Sequence, residues 1–171
     1  MELYVLRHAI ALERGAPGVR HDSDRPLTAA GAKKMKRIAR GMLLLKMPPE
    51  LILTSPYLRA RQTAEIVARE FDAASVLELS AHLEPGGDRE SLMGMLAERC
   101  AALERVLLVG HEPSLSELIA VLISGDERTS VMMKKGGLCK LHLDELRYGR
   151  CATLEWLLTP RQLVHLAEAG R

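Results

Sequence analysis

The chain has 171 residues, 47% of them hydrophobic and 27% charged, which is the size and composition of one globular domain spanning residues 1–171. Its 24 basic and 22 acidic residues give a formal charge of only +2, and 3% of the residues are aromatic, so no nucleic-acid partner is expected. The longest apolar run, residues 118–123, is far shorter than the roughly 20 residues that cross a bilayer. We therefore expect no membrane partner either.

Two further features bear on the compartment. The amino terminus carries Glu2 and Arg7 and lacks the long apolar middle of a signal peptide, which predicts a cytoplasmic location. The three cysteines are an odd number without C-x-x-C spacing, which disfavours a disulfide framework and a zinc cage. We expect Cys100, Cys139 and Cys151 to be reduced and mostly buried.

The first half of the chain alternates short aliphatic runs with longer helical patterns. Strands are predicted at residues 2–6, 51–53 and 76–79. Thr28 is a good N-cap for a helix that runs to about Lys46, and Ser55 followed by Pro56 predicts the start of the next helix. The alternation predicts an α/β fold whose central sheet is mostly parallel.

The second half continues the same pattern. A Gly-rich loop at residues 85–88 precedes a helical pattern that extends to Leu103, and residues 105–110 read as a buried strand. The next helix begins near His111. Residues 138–143 and 152–158 predict an antiparallel hairpin, and Thr159 with Pro160 predicts a last short helix. The complete expectation is a three-layer α/β/α fold with an antiparallel C-terminal hairpin.

Polar clusters follow three of the predicted strands at the point where each strand ends. Arg7 and His8 follow the first strand, residues 55–59 the second, and His111 with Glu112 the fourth. Because the carboxyl ends of parallel strands meet at one edge of a sheet, these distant residues are expected to lie together. Helix N-termini beginning at Ser55 and near His111 would direct free backbone N–H groups toward the same space, which favours an anion such as phosphate.

The residue types at this edge suit phosphoryl chemistry. The guanidinium groups of Arg7 and Arg59 present planar donors that match phosphate oxygens. A neutral imidazole can attack phosphorus and carry the phosphoryl group covalently, and His8 lies beside the predicted clamp. His111 is then placed to donate to an oxygen of the transition state. All four residues are candidate phosphate ligands.

Four segments, in this order, resemble the histidine phosphatase superfamily, which has the phosphoglycerate mutase-like fold. They are Leu6-Arg7-His8-Ala9, Asp24-Arg25-Pro26-Leu27-Thr28-Ala29-Ala30-Gly31, Ser55-Pro56-Tyr57-Leu58-Arg59-Ala60-Arg61-Gln62-Thr63 and Gly110-His111-Glu112-Pro113. Within the superfamily the chain is most similar to the SixA-type phosphohistidine phosphatases, which are also short and also have D-R-P-L-T before the first helix. The resemblance implies that His8 is phosphorylated during turnover and that Arg7, Arg59 and His111 complete the phosphate pocket.

The chain departs from the superfamily pattern at one position, and it leaves the identity of the general acid open. Ala9 stands where glycine is usual and adds a methyl group beside the nucleophile. Many relatives use a carboxylate after the third strand as general acid, and here both Glu84 and Asp88 are candidates. A phosphohistidine is itself a fairly good leaving group, so a strong acid is not required for that substrate.

The lengths of the connections between predicted elements indicate the substrate class. Relatives that act on small phosphorylated metabolites commonly carry long insertions over the pocket, whereas the connection from Leu79 to Glu90 is short here. A shallow, open site is therefore expected, suited to a phosphorylated protein such as a histidine phosphotransfer protein. A phosphatase or mutase of a small metabolite and a non-catalytic phosphoprotein-binding module are the alternatives.

The sequence predicts neither a metal nor a cofactor. Leu115 occupies the position where H-E-x-x-H would need its second histidine, and no Gly-rich nucleotide loop is present. The expected enzyme is thus a metal-independent phosphatase. No amphipathic seam is left over, so a monomer is expected.

Overall fold

The computed structural model describes residues 1–170 and consists of a six-stranded sheet with helices on both faces. The strands are β1 (Glu2–Arg7), β2 (Leu51–Thr54), β3 (Leu77–Leu79), β4 (Arg105–Gly110), β5 (Leu138–Leu143) and β6 (Ala152–Leu158). The helices are α1 (Ala29–Leu44), α2 (Leu58–Glu70), α3 (Arg89–Arg99), α4 (Ser114–Ser124) and α5 (Pro160–Ala169).

The strand order across the sheet is β3-β2-β4-β1-β5-β6. The first four strands along the chain pair in parallel, whereas β5 runs antiparallel to both β1 and β6. The predicted mixed sheet and its C-terminal hairpin are therefore confirmed. The carboxyl ends of β1, β2 and β4 lie side by side at one edge of the sheet, which is the edge that carries the predicted polar clusters.

Two apolar clusters fill the space between the sheet and its helices, because successive strand residues point to opposite faces. Leu3 and Val5 of β1 pack with the buried residues of α3 and α4. Tyr4 and Leu6 of the same strand pack with those of α1 and α2 and with Leu163 of α5. The three predicted layers are thus helices, sheet and helices, and the cysteines are free and buried as predicted.

The loop that joins β1 to α1 spans residues 8–28. Its carboxyl end is anchored by Thr28, the predicted N-cap of α1. The Thr28 hydroxyl accepts a hydrogen bond from the backbone N–H of Gly31 at 2.9 Å, and the Thr28 N–H donates to the Ile10 carbonyl at 3.0 Å. A Cβ atom on Gly31 would lie 2.1 Å from that same carbonyl oxygen. Glycine is therefore needed here because the loop backbone crosses directly over the first turn of α1.

One predicted helix start is wrong, and two predicted helix ends are shifted. α2 begins at Leu58 rather than next to Ser55, since the Ser55 N–H donates to the Val109 carbonyl and so prolongs the pairing of β2 with β4. α3 ends at Arg99, before Leu103, and α1 ends at Leu44, before Lys46.

None of the helices in residues 1–170 combines the length and the hydrophobicity that a membrane-spanning helix needs.

Candidate active site

The register of three neighbouring strands brings the polar clusters together. Arg7, the last residue of β1, lies opposite Gly110, the last residue of β4, and the His8 N–H donates to the Gly110 carbonyl at 3.0 Å. On the other side of β4, Thr54 lies opposite Val109, so Ser55 leaves β2 at the same level. Consequently the residues that follow β1, β2 and β4 share one site.

His8 is held in a defined tautomer by the backbone. Its Nδ1 lies 2.7 Å from the carbonyl oxygen of Ala9, and because a carbonyl only accepts, Nδ1 carries the proton. The lone pair of the neutral ring is then on Nε2. The Nε–H of Arg59 donates to this Nε2 at 3.3 Å. His8 thus directs its nucleophilic nitrogen at a guanidinium group.

His111 lies across from His8, with the two ring centroids 5.1 Å apart. Its Nε2 forms a 2.9 Å hydrogen bond with the Ser55 hydroxyl, and the ring of Tyr57 packs edge-on against it at 5.3 Å. The other ring nitrogen, Nδ1, is buried and has no hydrogen-bond partner within residues 1–170. Ser55 and Tyr57 therefore fix the ring and leave one of its nitrogens unsatisfied.

The two arginines approach the histidines from different elements. Arg59, in the first turn of α2, is 3% exposed and donates through Nη1 and Nη2 to the carbonyl and carboxylate of Asp22. Arg7 donates through one Nη to the Met133 carbonyl at 2.7 Å, while its buried Nε lacks a partner within the described chain. Two unsatisfied buried nitrogens, Nε of Arg7 and Nδ1 of His111, therefore belong to this one site.

Burial keeps both imidazoles neutral. Desolvation is the largest effect that lowers the pKa of His8 to about 3, and the charges of Arg59 and Arg7 lower it further. Desolvation also lowers the pKa of His111 to about 3, with His8 and Arg59 adding to the effect. At pH 7 the site consists of two uncharged imidazoles between two cations, an environment that attracts an anion and preserves a nucleophilic lone pair.

The two candidate acids occupy different places. Asp88 is the N-cap of α3: its carboxylate accepts hydrogen bonds from the backbone N–H groups of Glu90 and Ser91 and from the Ser91 hydroxyl. The hydrogen bonds from Ser91 hold the pKa of Asp88 below its ordinary value. Glu84 is half-buried, directly after a short 3-10 helix at Ala81–Leu83, whose Leu83 carbonyl faces Gly110. Asp88 thus caps α3, whereas Glu84 lies near the carboxyl end of β4.

The histidines are less accessible than the sequence indicates. His8 is 6% exposed and His111 2% exposed, so the expectation of a shallow, open site is wrong for the groups that would meet phosphate. A cavity of about 460 Å³ is lined by loop residues such as Arg14, Arg20 and Asp22 and by Tyr57, whose ring packs against His111. The β1–α1 loop, which the sequence does not place, contributes most of this cavity wall.

Sequence reasoning missed the role of Asp22 and the contact between Ser55 and His111. Asp22 lies just before the Asp24-Arg25-Pro26-Leu27-Thr28 segment, but no spacing rule links it to Arg59, 37 positions later. The sequence predicts that Ser55 caps a helix, whereas its hydroxyl bonds to a histidine 56 positions away. No local sequence signal could have identified either partner.

No group of three or more His, Cys, Asp or Glu side chains that could hold a metal ion occurs in the described residues 1–170. Positive charge at the site comes from the guanidinium groups of Arg7 and Arg59.

Known proteins resemble the chain in sequence. A family model described as the histidine phosphatase superfamily (branch 1) matches residues 3–84. The phosphohistidine phosphatase SixA of Escherichia coli is 31% identical over 168 residues, which are 95% of this chain and 96% of SixA. An uncharacterized protein of Picosynechococcus is 38% identical over 148 residues, covering 82% of this chain and 84% of its own.

The fold also matches solved structures. The protein histidine phosphatase SixA in complex with tungstate superposes with a TM-score of 0.83, at 31% identity, covering 95% of this chain and 99% of that chain. The structural similarity therefore extends over nearly the whole chain.

Proposed function

The chain belongs to the histidine phosphatase superfamily, and we propose that it is a phosphohistidine phosphatase that acts on a protein through a covalent intermediate on His8. The observation that carries this proposal is the geometry of His8: Nδ1 donates to the Ala9 carbonyl, and the unprotonated Nε2 faces Nε of Arg59. A neutral, oriented imidazole beside a fixed cation is what attack on a phosphoryl group requires.

The reaction proceeds in two displacements. The substrate phosphohistidine takes a proton from solvent on the ring nitrogen that does not carry phosphorus. Nε2 of His8 then attacks phosphorus, the bond between phosphorus and the substrate imidazole breaks, and that imidazole leaves neutral with this proton. Water then attacks the phosphorus on His8 and gives up a proton to solvent. The bond between phosphorus and Nε2 breaks, which releases inorganic phosphate and restores the neutral imidazole of His8 with its proton on Nδ1. In both steps the nucleophile and the leaving group are uncharged nitrogen or oxygen groups, so stabilisation is needed chiefly at the nonbridging oxygens.

Arg7, Arg59 and His111 supply that stabilisation in the proposed mechanism. Among the described residues 1–170, Nε of Arg7 and Nδ1 of His111 are buried and find no hydrogen-bond partner, which is costly unless a ligand satisfies them. Phosphoryl oxygens would accept from both, provided that His111 carries its proton on Nδ1 and accepts from the Ser55 hydroxyl through Nε2. Because the positive charge comes from guanidinium groups, we propose that no metal ion takes part.

A phosphorylated protein is the proposed substrate because SixA of Escherichia coli, a relative aligned along 95% of this chain, is a phosphohistidine phosphatase. The neutral histidine leaving group also fits the engagement of Asp88 in a helix cap, since no strong acid is needed. The open cavity beside Tyr57 gives the substrate protein a surface to contact.

The test uses a histidine phosphotransfer protein carrying labelled phosphate on its histidine. Wild-type protein is expected to release phosphate and, when quenched early, to carry an acid-labile label. His8→Asn should show neither, while the control His165→Asn, at an exposed position of α5, behaves as wild type. EDTA should leave the rate unchanged.

Three results would overturn the proposal. Hydrolysis by His8→Asn at the wild-type rate removes the intermediate. A higher kcat/KM for a sugar phosphate than for the phosphoprotein favours a metabolite phosphatase or mutase. Tight phosphoprotein binding without label or turnover favours a binding module.

A further inference from the structure

Asp22, in the β1–α1 loop, holds the guanidinium group of Arg59 at two points. Its carboxylate oxygen Oδ2 accepts from Nη2 at 3.0 Å, and its backbone carbonyl accepts from Nη1 at 2.7 Å. The third nitrogen, Nε, donates to His8. All three nitrogens of Arg59 therefore have assigned partners, and the plane of the guanidinium group is fixed.

Because the Arg59 side chain is buried, loss of its contact with Asp22 is costly. The Arg59 side chain is 4% exposed, whereas Asp22 is 30% exposed. Removing a nearly buried cation from its partner is far more costly than breaking a surface ion pair, because little water can replace the lost acceptor. Asp22 is the one carboxylate within residues 1–170 that forms a salt bridge with Arg59.

Asp22 is itself held in place from the other side. Its Oδ1 accepts from Nε of Arg25 at 2.9 Å and from Nε of Arg14 at 3.0 Å, which leaves Oδ2 for Arg59. Arg25 in turn donates to the Leu12 carbonyl at 2.6 Å. These loop contacts hold the Asp22 carboxylate in one orientation. The carboxylate in turn holds the guanidinium group of Arg59 in α2.

We propose that Asp22 is a positioning residue that acts through Arg59: it aims Nε of Arg59 at the phosphoryl position on His8. The inference rests on the proposed function for the role of Arg59. When Asp22 loses its charge, Nη2 loses its ionic partner and only the backbone carbonyl still holds Nη1, so the guanidinium group can rotate and Nε turns away from the reacting group. Stabilisation of the transition state decreases, while the contacts of the substrate protein with the enzyme surface remain.

The experiment compares Asp22→Asn with Asp24→Asn. Both residues lie in a short 3-10 helix, Asp22–Asp24, within the β1–α1 loop. Asp24 is exposed and accepts a hydrogen bond from the Ser23 hydroxyl, so it is a matched control for the charge change. We expect Asp22→Asn to lower kcat by about 10- to 100-fold, the range that corresponds to loss of one hydrogen bond between charged groups. KM should change less than kcat, and Asp24→Asn should match wild type.

Two additional variants separate positioning from a general structural role. Asp22→Glu keeps the charge and should retain more activity than Asp22→Asn. In an Arg59→Ala background, Asp22→Asn should cause little further loss of kcat, because a residue that acts through Arg59 has nothing left to position. Thermal unfolding establishes that each variant is folded; should Asp22→Asn fail to fold, a reduced kcat with unchanged KM in Asp22→Glu carries the test.

Equal kcat values for Asp22→Asn and Asp24→Asn would overturn the inference, as would losses that multiply in the double variant. Were Asp22→Glu the only folded variant, a wild-type kcat would overturn it. These outcomes differ from failure of the proposed function, in which wild-type protein itself neither becomes labelled nor hydrolyses the phosphoprotein.

Discussion

The Ser55 hydroxyl lies 2.9 Å from Nε2 of His111, although 56 positions separate the two residues. Ser55 is fully buried, and its oxygen also accepts from the Tyr57 N–H at 3.2 Å. The hydroxyl can therefore accept from Tyr57 and donate to His111 at once. This arrangement leaves Nδ1 of His111 as the ring nitrogen that carries a proton.

Replacing Ser55 by Ala should consequently impair His111. The variant leaves Nε2 buried without a partner, which is expected to cost about 1–3 kcal/mol of stability. Because the tautomer of His111 is no longer fixed, kcat should also fall, by about tenfold if the loss in the transition state is about 1.4 kcal/mol. Denaturant unfolding and phosphoprotein hydrolysis measure the two effects.

Thr54→Val is the matched control for Ser55→Ala. Thr54 is equally buried, and its hydroxyl donates to the Ser55 carbonyl at 3.3 Å rather than to a histidine. This variant should lose some stability and keep its kcat. A normal kcat in Ser55→Ala would contradict the assigned role of the hydroxyl.

Acid should destabilise the protein between pH 6.5 and about 3. The pKa of His8 and that of His111 are both lowered to about 3 in the folded state, so the unfolded chain binds protons first as the pH falls. Their contribution to stability is complete above the unfolded pKa and decreases by up to about 1.4 kcal/mol per pH unit for each histidine below it. Denaturant unfolding at pH 7, 6, 5 and 4 measures this slope.

His8→Asn removes one of the two groups and should make the slope shallower, whereas His165→Asn, at an exposed position, should not. For the same reason, the pH profile of kcat/KM should show no loss of activity near pH 6.5 from protonation of His8. An identical slope in wild type and His8→Asn would show that burial of this imidazole does not govern acid stability.

Gly31→Ala should destabilise the fold. The added Cβ would lie 2.1 Å from the Ile10 carbonyl oxygen and 2.9 Å from the Thr28 hydroxyl, so the loop backbone has to move. We expect a loss of about 1–3 kcal/mol, as for other overpacked sites. Gly94→Ala, in α3 with no atom within 4 Å of the new Cβ, should instead gain about 0.5–1 kcal/mol from helix propensity. Urea unfolding of both variants gives the comparison, and equal stabilities would contradict it.

Glu84 and Asp88, the two candidate general acids, should differ in how their replacement affects the hydrolysis of different substrates. Glu84→Gln is expected to slow hydrolysis of an alkyl phosphoester, whose alkoxide leaving group needs a proton, more than hydrolysis of phosphohistidine. Asp88→Ala should lower the melting temperature through loss of the α3 cap and leave both rates near wild type. Loss of alkyl phosphoester turnover in Asp88→Ala alone would assign the acid to Asp88.

Features that depend on short-range patterns could be predicted from the amino-acid sequence. The strands, the caps at Thr28 and Thr159, and the placement of Arg7, His8 and His111 at strand ends follow from apolar periodicity and local hydrogen bonding. Because parallel strands align their carboxyl ends, even the meeting of His8 with His111 could be predicted without coordinates.

The contacts that those residues make with other groups depend on how distant segments of the chain pack together. The bond from Arg59 to Asp22, the bond between Ser55 and His111, and the burial of both imidazoles depend on the path of the β1–α1 loop and on strand register. Loop paths are set by many weak contacts between segments far apart in the chain, so no local pattern encodes them. The same burial sets the pKa values of the two histidines, since desolvation is a property of the packed site and not of the residue.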